Sequence, residues 1–195
     1  MKTNVKSYTD KQILDRVKSH ARGFEDFPVD YWLIGIRSQE DEFNKFDDKF
    51  YLFQFTNFIG VFKGTTNAGA KGLLEFDSYN PDGCAVLQSD RIVYDSHRRG
   101  MSKGRMVYRQ VKGFPYYRDD NKDYKADEVG EVYDDIIYAH VHDVKLNGKD
   151  TYKQFINGWS LACQVFNNGA EWNQFLKIMG NQDLLTYCIL KEWEV

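Results

Sequence analysis

The chain has 195 residues, of which 42% are hydrophobic and 16% aromatic, and its formal net charge is −3. This length and composition are typical of one globular domain with a sizeable core, and they exclude a disordered or fibrous chain. The negative charge argues against a nucleic-acid-binding protein, whose phosphate-contacting face is basic. No run approaches the roughly 18 apolar residues of a membrane span, so we expect no membrane partner.

Two short basic clusters stand out against this acidic background. They are HRR at residues 97–99 and KGR at residues 103–105. Because acidic residues flank them, we interpret both as solvated strand ends.

The cysteines and the N-terminus bear on the compartment. Cys84, Cys163 and Cys188 form an odd set without framework spacing, which predicts reduced thiols. Residues 1–18 are polar and lack the apolar segment and cleavage site of a secretion signal. We therefore expect synthesis in the cytoplasm without a signal peptide.

In chain order, the hydrophobic pattern predicts a helix, a series of strands, a second helix and a last strand. Thr9 offers an N-cap for a helix over residues 10–21. An apolar run predicts a strand at residues 31–37 and ends on Arg37, for which Asp47 and Asp48 are the expected ion-pair partners. The second helix is predicted at residues 169–179. Further β-prone runs lie at residues 49–62, 83–88, 91–95, 106–111, 116–117, 136–144, 159–166 and 185–190. The fold class is therefore α+β, mostly β, with a helix near each end.

Cys163 and His142 are the candidates for nucleophilic chemistry. A cysteine needs a basic neighbour to become a thiolate near neutral pH, and histidine is the usual partner. KLNGK at residues 145–149 carries Asn-Gly turn chemistry, so two adjacent strands could bring both side chains together. Ser160 could orient the substrate or the base. The backbone N–H groups of Ala162 and Cys163 would form an oxyanion hole if the chain turns sharply there.

The same residues carry a resemblance to a known family. SLAC at residues 160–163, preceded by His142, resembles the Ser/Thr-His-Gly-Cys motif of the L,D-transpeptidase (YkuD-type) catalytic domain. WSLACQVF at residues 159–166 and AHVHD at residues 139–143 are similar to an uncharacterised branch of that family in phages and gut bacteria. Further matching segments are GCAVL (83–87), VYRQ (107–110) and YYRDDNKD (116–123). Leu161 and Ala162 replace the histidine and the glycine of the family motif.

The resemblance implies both a fold and an activity. The fold would be an L,D-transpeptidase-like β-sandwich over residues 60–195, with residues 1–59 as an extension packed on it. The activity would be acyl transfer or hydrolysis on peptidoglycan stem peptides, with Cys163 as nucleophile and His142 as general base. No cofactor is required for this chemistry. A phage origin would add virion proteins as partners and place the protein in the bacterial cytoplasm, in the virion or at the cell wall.

A non-catalytic alternative remains open beside the enzyme. The chain could be a virion or wall-binding protein that keeps the fold without the activity, with Cys163 as a packed small hydrophobe.

Several further residues are candidates for substrate binding. Tyr117 and Arg118 could line a groove, although edge-strand packing explains them equally well. His140, two residues before His142, could either support His142 in the site or pack as a core histidine. Trp159 belongs to the matched segment and is either core or substrate-binding.

Two metal sites are alternatives with weaker signals. HVHD at residues 140–143, with Cys163, has the ligand types of a zinc site. A second segment carries side-chain oxygens at spaced positions, at Asp119, Asn121, Asp123 and Asp127. This pattern is typical of a structural calcium loop, or equally of a solvated acidic turn.

Overall fold

A computed structural model describes residues 8–144 and 151–194 of the chain. The first helix, α1 (Asp10–His20), begins at Thr9, whose side chain and that of Gln12 form a reciprocal capping box. The second helix is short, α2 (Ala70–Leu74), and is followed by a 3₁₀ turn at Phe76–Ser78. The last helix is α3 (Gly169–Met179). No helix in the described part of the chain is long and apolar enough to cross a membrane.

Eight strands close into a barrel. Their order around the barrel is β1-β10-β5-β6-β8-β9-β3-β2, and β4 and β7 form a separate two-stranded sheet. The bounds are β1 (Tyr31–Arg37), β2 (Asp48–Gln54), β3 (Asn57–Thr65), β4 (Cys84–Leu87), β5 (Arg91–Ser102), β6 (Arg105–Gln110), β7 (Tyr116–Asp119), β8 (Val141–Asp143), β9 (Gln164–Phe166) and β10 (Leu184–Lys191).

The α+β, mostly β prediction is confirmed, with a helix near each end. The finer prediction of an L,D-transpeptidase-like sandwich is not confirmed, since the main strands form a single closed barrel rather than two facing sheets. Residues 1–59, predicted as a packed extension, supply α1 and two of the eight barrel strands, and the boundary at 59/60 falls inside β3.

Two apolar clusters lie on opposite faces of the barrel strands. Leu33 of β1 belongs to the main core, together with Phe166, Phe175 and Tyr187. Its neighbour Trp32 points to the other face, into a second cluster where α1 packs. This alternation follows from the period of two in an extended strand.

Arg37 ends β1 in a buried position and has a different acidic partner from the one predicted. Its Nη1 pairs with Glu128 at 2.6 Å, and its Nη2 donates to the carbonyl of Leu87 at 3.0 Å. Asp48 instead accepts hydrogen bonds from the backbone N–H groups of Ser38 and Thr66. The expected pairing with Asp47 and Asp48 was therefore wrong, because a residue 91 positions away in sequence supplies the carboxylate.

Asp47 and Asp48 make the stability of the barrel depend on pH. Burial and then the neighbouring Asp48 carboxylate raise the pKa of Asp47 well above its usual value. A carboxyl group with a raised folded-state pKa contributes stability below its unfolded pKa of about 4, and this stability is lost as pH rises.

We therefore expect Asp47→Asn to gain stability relative to wild type as pH increases. The amide oxygen can still accept the backbone N–H of Glu42, which Asp47 accepts at 2.8 Å. The difference in free energy of unfolding should grow by roughly 1–3 kcal/mol between pH 5 and 8. Urea unfolding at several pH values measures this difference, and a constant difference would contradict the buried-carboxyl explanation.

Candidate functional site

Two adjacent strands place Cys163 and His142. Strands β8 and β9 run parallel, with His142 opposite Val165, and the N–H of Gln164 donates to the carbonyl of His140 at 2.9 Å. A parallel pair cannot be joined by a tight turn, so the reversal that we predicted between these two strands is wrong. The predicted turn at residues 145–149 itself lies outside the described residues.

Strand alternation brings both side chains to the outer face of the barrel. Val141 and Phe166 belong to the main core, whereas Val165 packs in a separate cluster with Cys163 and Trp159. His142 shares the face of Val165, and Cys163 precedes Val165 by two residues. Both His142 and Cys163 line one cavity of about 770 Å³, which we call the Cys163 cavity. This volume suits a small-molecule or short-peptide ligand.

The wall opposite Cys163 is irregular where we predicted a strand. Only residues 141–143 of the predicted strand 136–144 are extended and paired. Tyr138 has a left-handed backbone, with φ of 61°, and its carbonyl accepts the thiol of Cys163 at 3.7 Å. The side-chain oxygen of Gln110 accepts the N–H groups of Ile137 and Ala139, at 3.1 and 3.0 Å. The buried Gln110 side chain therefore accepts N–H groups that would have paired with a neighbouring strand if β8 were longer.

His142 is held as a neutral imidazole. Its Nδ1 lies 2.8 Å from the carbonyl oxygen of Asp143, and because a carbonyl can only accept, Nδ1 carries the proton. Burial, followed by the nearby Arg105 guanidinium, lowers the pKa of His142 to about 3. The second ring nitrogen, Nε2, is then free of a proton and has the form of a general base.

Cys163 is a partly exposed thiol in the same cavity. Burial raises its pKa, although the His140 backbone N–H, Arg105 and Lys103 each lower it. The resting site therefore pairs a neutral thiol with a neutral imidazole. Since the thiol donates to the Tyr138 carbonyl, this hydrogen bond must break before His142 can take the proton.

Ser160 contacts the backbone of Cys163 rather than the cavity. Its hydroxyl is fully buried and donates to the carbonyl oxygen of Cys163 at 2.7 Å, and its carbonyl accepts the N–H of Gly69 at 3.0 Å. Ser160 does not line the Cys163 cavity. Its position argues for control of the backbone at Cys163.

The backbone before Cys163 is fixed by two carbonyl contacts. The carbonyl of Ala162 accepts Nε2 of Gln164 at 2.9 Å, and that of Leu161 lies 3.6 Å from the thiol of Cys84. In a trans peptide the N–H points opposite to the carbonyl, so the N–H of Cys163 faces away from the Gln164 side chain and the N–H of Ala162 faces away from Cys84. Ala162 is not among the described residues with positive φ, so alanine costs no backbone strain here. The oxyanion hole stays a prediction.

The predicted substrate-binding residues separate into two groups. Arg118 and Trp159 line the Cys163 cavity, whereas His140 and Tyr117 do not. Nδ1 of His140 accepts the N–H of Gln110 at 3.2 Å, and the hydroxyl of Tyr117 accepts Nε2 of Gln88 at 2.9 Å. Both have structural partners away from the cavity.

Sequence reasoning missed the hairpin between β5 and β6. Lys103 and Arg105, interpreted as a solvated strand end, both line the Cys163 cavity. Arg105 donates to the carbonyl of Asp143 at 2.8 Å, the same oxygen that His142 uses, and its guanidinium lies 5.7 Å from the ring of Trp159. No local signal marked this hairpin, because only the barrel closure brings it beside β8.

The metal-site predictions gain no support. No three described His, Cys, Asp or Glu side chains are grouped as metal ligands would be. In the acidic loop, Asp119 accepts the backbone N–H of Asn121 and of Asp127, and Asn121 donates to the Asp127 carboxylate. Asp123 accepts the backbone N–H of Lys125. The loop thus uses these oxygens internally, and the calcium and zinc sites stay predictions.

No family model, curated protein or solved structure matches the chain.

We expect Ser160→Ala to destabilise the protein and disturb Cys163. The change leaves the buried carbonyl of Cys163 without its donor, which should cost about 1–2 kcal/mol of unfolding free energy. Ser19→Ala, which removes an exposed hydroxyl donating to a helix carbonyl, is the matched control. Denaturant unfolding of both variants measures the effect, and equal losses would contradict the role of Ser160.

Proposed function

We propose that the chain is a cysteine-dependent acyl transferase or hydrolase acting on peptidoglycan stem peptides. The observation that carries this proposal is the opening of Cys163 and His142 into one cavity from the same face of adjacent strands. The peptidoglycan substrate and an L,D-transpeptidase-like activity are part of the proposal on the strength of the WSLACQVF and AHVHD segments. The site of action is then the bacterial cell wall or a virion that attacks it.

The proposed step begins with proton transfer from the Cys163 thiol to Nε2 of His142. The sulfur attacks the peptide carbonyl, and the tetrahedral intermediate collapses to a thioester as the leaving amine takes the proton from the imidazolium. An acceptor amine or water then attacks the thioester and restores the thiol. The Asp143 carbonyl keeps the ring oriented throughout through its bond to Nδ1.

The surroundings of the thiol support this step in two ways. Arg105 and Lys103 favour the thiolate over the thiol. The N–H groups of Ala162 and Cys163 are the candidate donors to the oxyanion.

A non-catalytic wall-binding or virion protein is the second candidate. The observation in its favour is the Cys163 thiol, which donates to the Tyr138 carbonyl and has a raised pKa. A cysteine in that state is a packed side chain with a hydrogen bond rather than an activated nucleophile.

The pH dependence of Cys163 alkylation separates the two candidates. If the proton moves from Cys163 to His142 within the site, no proton is exchanged with solvent, and the iodoacetamide rate should vary little between pH 5 and 7. A flat rate requires the thiolate–imidazolium pair to outnumber the thiolate formed by proton loss to solvent, so the charge of each partner must raise the pKa of His142 and lower that of Cys163 from their resting values. In His142→Ala the thiolate must form by loss of a proton to solvent, so the rate should fall at pH 6 and rise about tenfold per pH unit.

Mass spectrometry of the labelled protein measures the rate at each cysteine separately. Cys84 and Cys188 serve as internal references, because both are buried and burial raises the pKa of each. His140→Ala is the matched control, since His140 does not line the cavity. A wild-type rate at Cys163 that rises tenfold per pH unit and is unchanged in His142→Ala would sink the enzyme proposal.

A digest of purified peptidoglycan tests the substrate. Wild-type protein should release or join stem peptides, and Cys163→Ala should do neither at a rate above background. Chromatography of the muropeptides distinguishes hydrolysis, which yields shorter stems, from transfer, which yields cross-linked dimers.

A further inference from the structure

Within the described residues, Arg118 is a partly buried cation without a carboxylate partner. Its Nη1 donates to the carbonyl of Gly83 at 3.1 Å, and its Nη2 donates to the hydroxyl of Tyr116 at 3.3 Å. Its guanidinium also lies 4.9 Å from the ring of Tyr116. Among the acidic side chains in the described ranges, none makes an ion pair with Arg118. These contacts fix the group while leaving some of its five N–H donors available.

The other charged side chains that line the cavity are also cations. Lys103 and Arg105 line it together with Arg118, and no aspartate or glutamate of the described chain does. Arg105 is balanced by Asp143, whose carboxylate lies 3.7 Å away, whereas Arg118 is not balanced. Withdrawing a cation from water without a counter-charge costs free energy, so an anion entering the cavity would relieve that cost at Arg118.

Arg118 lies on the wall that contacts the chain just before Cys163. Strand β7 carries Arg118 opposite Ala85 of β4. The thiol of Cys84, the residue before Ala85 in β4, lies 3.6 Å from the carbonyl of Leu161. A ligand that reaches Cys163 in this cavity therefore lies between the nucleophile and the β4–β7 sheet.

We propose that Arg118 binds a carboxylate of the acyl donor, so that the cavity takes the carboxylate end of a peptide. This inference rests on the proposed function and deepens it by naming the substrate class. The planar guanidinium can bind a carboxylate through two parallel hydrogen bonds, which gives direction as well as affinity. Recognition of a terminal carboxylate would favour cleavage near the end of a stem peptide over cleavage of an internal bond.

The alkylation of Cys163 by two reagents of similar shape tests the charge recognition. Iodoacetate and iodoacetamide both form the S–C bond with loss of iodide, but only iodoacetate carries a carboxylate. Because both reactions use the same thiolate, the ratio of their rates cancels the intrinsic reactivity of Cys163. The rate with iodoacetate divided by the rate with iodoacetamide should be roughly threefold to tenfold lower in Arg118→Gln than in wild type.

Three variants serve as controls. Arg109→Gln removes one cation from β6 at an exposed position that does not line the cavity, and it should leave the ratio nearly unchanged. Arg118→Lys keeps the charge but loses the fork, and it should give an intermediate ratio. If Lys103→Gln lowers the ratio and Arg118→Gln does not, the anion binds at the hairpin and the proposal is overturned.

A protection experiment extends the test to peptides. N-acetyl-L-alanyl-D-alanine with a free carboxylate should slow iodoacetamide labelling of Cys163 at least several-fold more than its C-terminal amide does, and Arg118→Gln should abolish the difference. Equal protection by acid and amide in wild type would overturn the proposal. Failure of the proposed function would give a different result. The rate of iodoacetamide labelling at Cys163 would then be the same in wild type and His142→Ala, while the ratio of the two reagents would still depend on Arg118.

Discussion

The parallel pairing of β8 and β9 is the constraint on which the candidate site depends. It sets His142 opposite Val165 and leaves Cys163, two residues before Val165 and directly before β9, on the same outer face. A one-residue change of register would turn one of the two side chains into the barrel core. The pairing itself is only three residues long, and it is reinforced by Gln164, which accepts the Tyr187 hydroxyl at 2.6 Å inside the barrel.

A second constraint is the irregular segment that forms the facing wall. Gln110 accepts two of its N–H groups, and Ala139 accepts His97 through its carbonyl at 2.9 Å. Further upstream, the buried pair of Arg37 and Glu128 ties the same segment to β1. These contacts hold the Tyr138 carbonyl against the thiol, so the resting state of Cys163 is decided by a loop that is anchored at several points on the barrel.

The electrostatics of the site follow from burial in a cationic cavity. Burial disfavours both the imidazolium of His142 and the thiolate of Cys163, whereas Arg105 and Lys103 favour only the thiolate. The proposed proton transfer between the two residues would therefore create an ion pair that the cavity supports only at the thiolate end. The same excess of positive charge supports the proposal of an anionic ligand, because no carboxylate of the described residues lines the cavity.

The sequence by itself determined the elements whose signals are local. The Thr9 N-cap and the apolar spacing of residues 169–179 predicted both terminal helices, and the run at residues 31–37 predicted β1. It also singled out Cys163 and His142 as residues that could share a site. The tertiary structure alone decided the parallel register between them, the Glu128 partner of Arg37 and the place of Arg105 in the cavity. Those features join residues that are distant along the chain, and the closure of the barrel brings them together, so no local pattern could have encoded them.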